Sequence, residues 1–151
     1  MIAMPSPYAD ARGFTLVELL IVIAITAVLA ASAAPSFIDY VRRGRINEAV
    51  TRLSDYRVRM EQYFLDNRRY DDGAGNCGAM APTASPADAF EVVCIAAATT
   101  YAVTATGLAA KGMQGFVYTL DHANAHRTAS VPAGWVSSDL CWVVRRNGSC
   151  T

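Results

Sequence analysis

The sequence predicts an α+β fold in which one long amino-terminal helix lies on an antiparallel β-sheet. Three observations predict it. Helix formers run from Phe14 to about Asn67, with Pro35 and Gly44 as the main interruptions. A segment rich in Gly, Pro, Asn and Asp follows over residues 70–89. Short apolar or alternating runs then recur to the carboxy terminus.

The first half of the helix is apolar on all sides. Leu19 to Ile38 is 20 residues without a charge, long enough to cross a bilayer. Three readings compete for Met1 to Ile38. It is a secretory signal cut after Ala33, in the small-residue run Ala31-Ser32-Ala33. It is a plain signal anchor. Or Met1–Gly13 is a leader removed on the cytoplasmic side, ahead of the apolar stretch. Glu18 bears on the choice. A carboxylate deep in lipid costs about 3 kcal/mol, and neither a signal peptide nor a simple anchor has a use for it. Cleavage after Gly13 gives it one. The new amine of Phe14 is a cation, and Glu18 lies one helical turn away, where an acid suits a helix start. It can also pair with the terminal amine of a neighbouring copy and set the register of packed helices. The competing reading is an acid that reaches out to the membrane surface.

The second half of the helix, residues 39–69, is amphipathic. Ile46, Ala49, Val50, Leu53, Tyr56, Met60, Tyr63 and Phe64 recur at spacings of three and four. Such a stripe needs an apolar partner, and a sheet supplies one. Asp71-Asp72-Gly73-Ala74-Gly75-Asn76 opens the connecting loop. Phe90–Ala96, Thr100–Thr106, Gly115–Leu120 and His126–Val131 read as strands, with Asp121–Ala125 as a turn. Leu140–Arg145 reads as a final strand. Consecutive strands with short links form a meander.

Thirteen basic and thirteen acidic residues balance, which argues against a general nucleic-acid-binding protein. The balance is not local. Residues 42–69 hold eight Arg against four acids, and residues 70–140 hold two bases against six acids. This segregation suggests charge pairing within or between subunits. No phosphate loop, dinucleotide fingerprint or nucleophile elbow occurs. His122 and His126 sit in or beside a turn without converging partners, so no catalytic residue, cofactor or metal is expected. Trp135 and Trp142 read as packing or interface residues. Four cysteines, Cys77, Cys94, Cys141 and Cys150, lie beyond the apolar segment. Their even number suits disulfides in an oxidising compartment, and three pairings are open. The lack of a C-x-x-C spacing disfavours zinc.

Arg12-Gly13-Phe14-Thr15-Leu16-Val17-Glu18, running into about 20 apolar residues, resembles the class III signal of type IV pilins and type II secretion pseudopilins. The resemblance implies that Gly13 precedes the scissile bond and that Phe14 becomes the N-methylated first residue. Prepilin peptidase would carry out both steps. One departure is that Asp10 offsets Arg12, and Met4 is an alternative start. Pro35 matches the kinking proline of many pilins. It has no amide hydrogen to offer the carbonyl of Ala31, so a kink or local unwinding just before it is expected in a packed filament.

The order of helix, loop, strands and terminal cysteine loop is similar to the pilin architecture over nearly the whole chain. A four-stranded antiparallel sheet and a globular head over residues 70–151 are therefore expected. Tyr70–Gly78, Tyr101–Gly107, Cys141–Val143 and Gly148–Cys150 look closest to PilE-like and competence pilins. The family usually closes its carboxy terminus with a disulfide, which implies Cys141–Cys150 and, with it, Cys77–Cys94. It further implies a non-enzymatic subunit polymerising with itself or other pilins from a precursor held in inner-membrane lipid by its apolar helix into a surface filament for adhesion, twitching or DNA uptake. The implied partners are prepilin peptidase, an inner-membrane platform, assembly ATPases and an outer-membrane secretin. Two alternatives stand beside this. One is a minor pilin that captures extracellular DNA through Lys111, Arg145 and Arg146. The other is a type II secretion pseudopilin. The major pseudopilin typically has a calcium site and lacks the terminal cysteine loop, so Cys141 and Cys150 favour the pilus.

Overall fold

The computed structural model describes residues 13–80 and 85–150, the side chains of 32–36 excepted. Apart from Gly13, the expected leader lies outside the described residues. The chain divides into two compact units, residues 1–38 and 39–151. Helix α1, Leu16–Asn67, contributes to both.

In the first unit Thr15 starts the helix. Its hydroxyl accepts the amide of Glu18 at 3.2 Å, and its carbonyl accepts the amide of Leu19 at 3.2 Å. This satisfies donors that a helix start otherwise leaves open. Leu16, Val17, Leu19, Leu20, Ile21, Val22, Ile23, Ile25 and Val28 are all at least half exposed. Thr26, a polar residue within this run, donates its hydroxyl to the carbonyls of Val22 at 2.9 Å and Ile23 at 3.0 Å. Its hydrogen-bonding need is thus met inside the helix. Among the described residues no helix is long and apolar enough to cross a membrane. The span expected over Leu19–Ile38 runs through positions 32–36, whose side chains lie outside the described residues. Pro35 is one of them. The helix backbone continues through its position, and the kink expected there concerns the packed filament.

In the second unit the apolar stripe meets the sheet. Ile46, Ala49, Leu53, Tyr56 and Met60 are fully buried, with Val50 and Phe64 packed beside them. Burying a side chain such as Ile46, Leu53 or Met60 is worth about 1.5–3 kcal/mol. The helix ends at Asn67, where the helix formers run out. Arg68 takes φ 60 while its amide still bonds the carbonyl of Phe64, the left-handed turn that closes many helices.

The sheet is an antiparallel meander in the order β1 (Phe90–Ala96), β2 (Tyr101–Gly107), β3 (Val117–Asp121) and β4 (His126–Ser130). The fold is thus α+β, with four strands. Pairing Val103 with Leu120 and Ala105 with Tyr118 puts Tyr101, Val103, Ala105, Tyr118 and Leu120 on the helix face. Strand alternation allows nothing else once these five share a core. Between β2 and β3 a short helical turn, Ala109–Lys111, closes at Gly112 with φ 66. The strand expected at Leu140–Arg145 does not form. Among the described residues, a single bridge between Val143 and Cys150 is the β pairing of that segment. Trp142 and Val143 are adjacent yet both buried, which the two-residue alternation of a half-buried strand forbids.

Candidate functional site

The expected sites fall in two places. The first is the helix start. Gly13, Phe14 and Thr15 precede the helix in a non-helical segment, and all are exposed. Glu18 is exposed in the first helical turn, four residues beyond Phe14. The cap by Thr15 is legible in the sequence as Thr-x-x-Glu.

The second place is the carboxy-terminal loop on the head. The cysteines form two disulfides, Cys77–Cys94 and Cys141–Cys150. The first ties the loop after the helix to β1. The second closes the terminal loop, and three side chains fasten that loop to the sheet. Thr128 of β4 donates its hydroxyl to the carbonyl of Cys141 at 2.8 Å and accepts the amide of Val143 at 2.8 Å. Tyr118 of β3 donates to the carbonyl of Val143 at 2.9 Å. Burial raises its phenol well above the ordinary range, which keeps it a donor. Trp142 donates its indole N–H to the carbonyl of Thr119 at 3.0 Å and stacks on His126 at 3.9 Å. Burial, and then the Arg57 guanidinium, lower the His126 pKa, with Asp121 opposing. Trp135 meets Phe116 edge-on at 4.8 Å. Both tryptophans are thus packing residues. Thr128 carries no sequence signal that would have singled it out.

The loop after the helix is internally braced. The side-chain amide of Asn76 and the backbone amide of Ala74 bond the Asp72 carboxylate at 2.8 Å each and hold its pKa below the usual carboxylate range. Arg69 does the same for Asp71 through a 2.5 Å bond. Among the described residues no three His, Cys, Asp or Glu side chains converge as a metal site would require.

The terminal loop also carries charge to the helix. Arg146 bonds Asp39 at 2.8 Å, and Arg45 bonds the carbonyl of Lys111. Arg146 thus meets residue 39, Arg145 lines a cleft with Tyr40, Arg43 and Asn47, and the backbone of Lys111 meets Arg45.

Residues 9–34 match the prokaryotic N-terminal methylation motif. Residues 35–115, more than half the chain, match the family described as type IV minor pilin ComP, DNA uptake sequence receptor. The chain belongs to the type IV pilin family. It is 39% identical over 107 residues to the fimbrial protein EcpC of Eikenella corrodens, covering 69% of each chain. Identity to the type IV major pilin PilA of Myxococcus xanthus is 43% over 67 residues, 44% of this chain and 30% of the relative. For the type IV major pilin PilE1 of Neisseria gonorrhoeae it is 35% over 71 residues, 47% of this chain and 43% of the relative. The match thus spans less than half the length of these two major pilins. The class III leader, the four-stranded fold and the two disulfides fit this pilin as one design. A capped helix start follows the processing motif, and a cross-linked head follows the helix.

Proposed function

We propose that this pilin is a structural subunit of a type IV pilus. One observation carries the reading. From Leu16 to Val28 the helix exposes apolar side chains on every side. Such a surface is stable only in lipid or against other apolar helices. The membrane satisfies it before assembly, and neighbouring subunits satisfy it afterwards. Glu18, one turn from the Phe14 amine, then pairs with a neighbour's amine and sets the axial register in a low-dielectric core, where an unpaired charge is costly. Pro35 lets the helix bend or unwind locally as it packs. Prepilin peptidase cleaves after Gly13 and methylates Phe14. An inner-membrane platform, assembly ATPases and an outer-membrane secretin complete the machinery. The work is mechanical, without catalysis. Mass analysis of protein from sheared surface filaments tests this. A mature chain beginning with N-methylated Phe14 supports the reading, and absence of the chain from such filaments contradicts it.

A second reading is a minor pilin of a DNA-uptake pilus. It is supported by the match of residues 35–115 to a family described as a DNA uptake sequence receptor. Lys111, Arg145 and Arg146 would meet the phosphates. Binding to duplex DNA that falls steeply as salt rises is the expected signature.

A further inference from the structure

Six cations lie near residues 39–47: Arg43 and Arg145 line one cleft, Arg42 and Arg146 share Asp39, and Arg45 bonds the carbonyl of Lys111. Among the described residues, one carboxylate makes ion pairs with any of them. Asp39 meets Arg146 at 2.8 Å and Arg42 at 3.9 Å. Asp88, which senses Lys111, is already held by Arg52 at 2.7 Å. The Arg146 side chain is 52% exposed within its pair, and such exposed pairs are weak and exchange partners readily. The cluster therefore has positive charge to spare.

We infer that this cluster is a contact for anionic phospholipid, seating the head on membrane headgroups while the subunit awaits assembly. The inference rests on the reading that the subunit is membrane-held. Its first argument is position. Arg42, Arg43 and Arg45 follow Ile38, the last residue of the apolar segment, within seven residues. On a helix that is about 10 Å, the depth of a headgroup layer. Juxtamembrane clusters of four to eight cations bind anionic lipid. Their presence on the exported side runs against the usual bias of Lys and Arg toward the cytoplasm, so they call for a use there.

The second argument is shape and chemistry. An open cleft of about 370 Å3 runs between α1 and the terminal loop, lined by Tyr40, Val41, Arg43, Asn47, Val144 and Arg145. Cations and an amide stand beside apolar walls. Tyr40 is 69% exposed, and the Arg43 guanidinium lies 5.9 Å from its ring centre. An exposed Tyr next to Arg is the pairing found where protein meets the bilayer surface. A headgroup phosphate with its glycerol and upper acyl carbons satisfies both kinds of wall. Duplex DNA offers phosphates but less apolar surface for Val41 and Val144 than acyl carbons do.

The test places the full chain in bilayer discs of phosphatidylcholine, alone or mixed with phosphatidylglycerol, and follows backbone hydrogen exchange of residues 144–149. The expected result is exchange slowed about fivefold or more by phosphatidylglycerol. The slowing is lost in high salt and in the triple variant Arg43→Gln, Arg145→Gln, Arg146→Gln. It survives in Arg145→Lys, Arg146→Lys, which keeps the charge. Equal exchange in both bilayers overturns the inference. So does slowing by added duplex DNA in neutral discs with none from phosphatidylglycerol, which assigns the cluster to nucleic acid. A chain that does not insert into discs at all overturns the membrane-held reading and the inference with it.

Discussion

Thr128 and Val143 are joined by a 2.8 Å hydrogen bond from the Val143 amide to the Thr128 hydroxyl, and that hydroxyl also serves Cys141. One β-branched side chain in β4 thus takes the place of a fifth strand. Thr128 is 1% exposed and Val143 fully buried. Replacing Thr128 by Val keeps the shape and leaves the buried amide of Val143 and the part-buried carbonyl of Cys141 without this partner. The expected loss is about 2–4 kcal/mol, read as a lower midpoint in urea unfolding. Thr128→Ser keeps the hydroxyl and is expected to lose clearly less.

The terminal disulfide closes a span of 9 residues and the other a span of 17. Chain entropy gives about 2.5 kcal/mol for the first and about 3 kcal/mol for the second. Removing either by paired Cys→Ser substitution is expected to lower the unfolding midpoint, with Cys77/Cys94 the larger effect. The opposite order would mean that anchoring by Thr128 and Trp142 depends on the terminal bridge.

Gly107 ends β2 where no side chain fits. A Cβ there would overlap the carbonyl oxygen of Met113, and the Gly107 amide is committed to the carbonyl of Phe116 at 2.8 Å. Gly107→Ala is expected to destabilise the head by about 2 kcal/mol or more, as overpacking against rigid backbone does. Gly75→Ala supplies the control. It has φ 90 but open space around it, so its cost is backbone strain alone and should be smaller.

Asp71, Asp72 and Asp88 all have depressed pKa values. For Asp88 the causes are the Ser85 amide first and the Arg52 guanidinium next. A carboxylate with a lower pKa folded than unfolded stabilises fully above its unfolded pKa, about 3.9 for Asp. That contribution is lost as pH falls through the folded value. Thermal stability is therefore expected to hold from neutral pH to about pH 5 and to fall below about pH 4. Asp88→Asn should be less stable at neutral pH and show a shallower acid decline.

The sheet was legible because its strands alternate. Tyr101, Val103 and Ala105 face the core and the residues between them do not. The helix stripe was legible for the same reason at a period of 3.6. Leu140–Arg145 misled because an apolar run of that length carries no direction. The groups that satisfy its backbone, Thr128 and Tyr118, lie 13–25 residues away along the chain. The gathering of Arg146 with Asp39, 107 residues apart, is likewise a property of the folded head. The class III signal, by contrast, is a motif of consecutive residues, and its match over residues 9–34 could be read directly.

Glu18→Ala removes the carboxylate but not the Gly13–Phe14 bond. The precursor should still be cleaved, while sheared surface filaments fall by about tenfold or more, the consequence of leaving the Phe14 amine unpaired in the core. Unchanged filament yield would exclude the pairing.

The most direct measurement is the mature amino terminus, read by mass spectrometry on the chain isolated from its cells. The predicted result is a polypeptide beginning at Phe14 with a methylated amine, its cation one turn from Glu18. A chain beginning at Met1 or at Ala34 would contradict the account, because the amine that Glu18 is held to meet would never form.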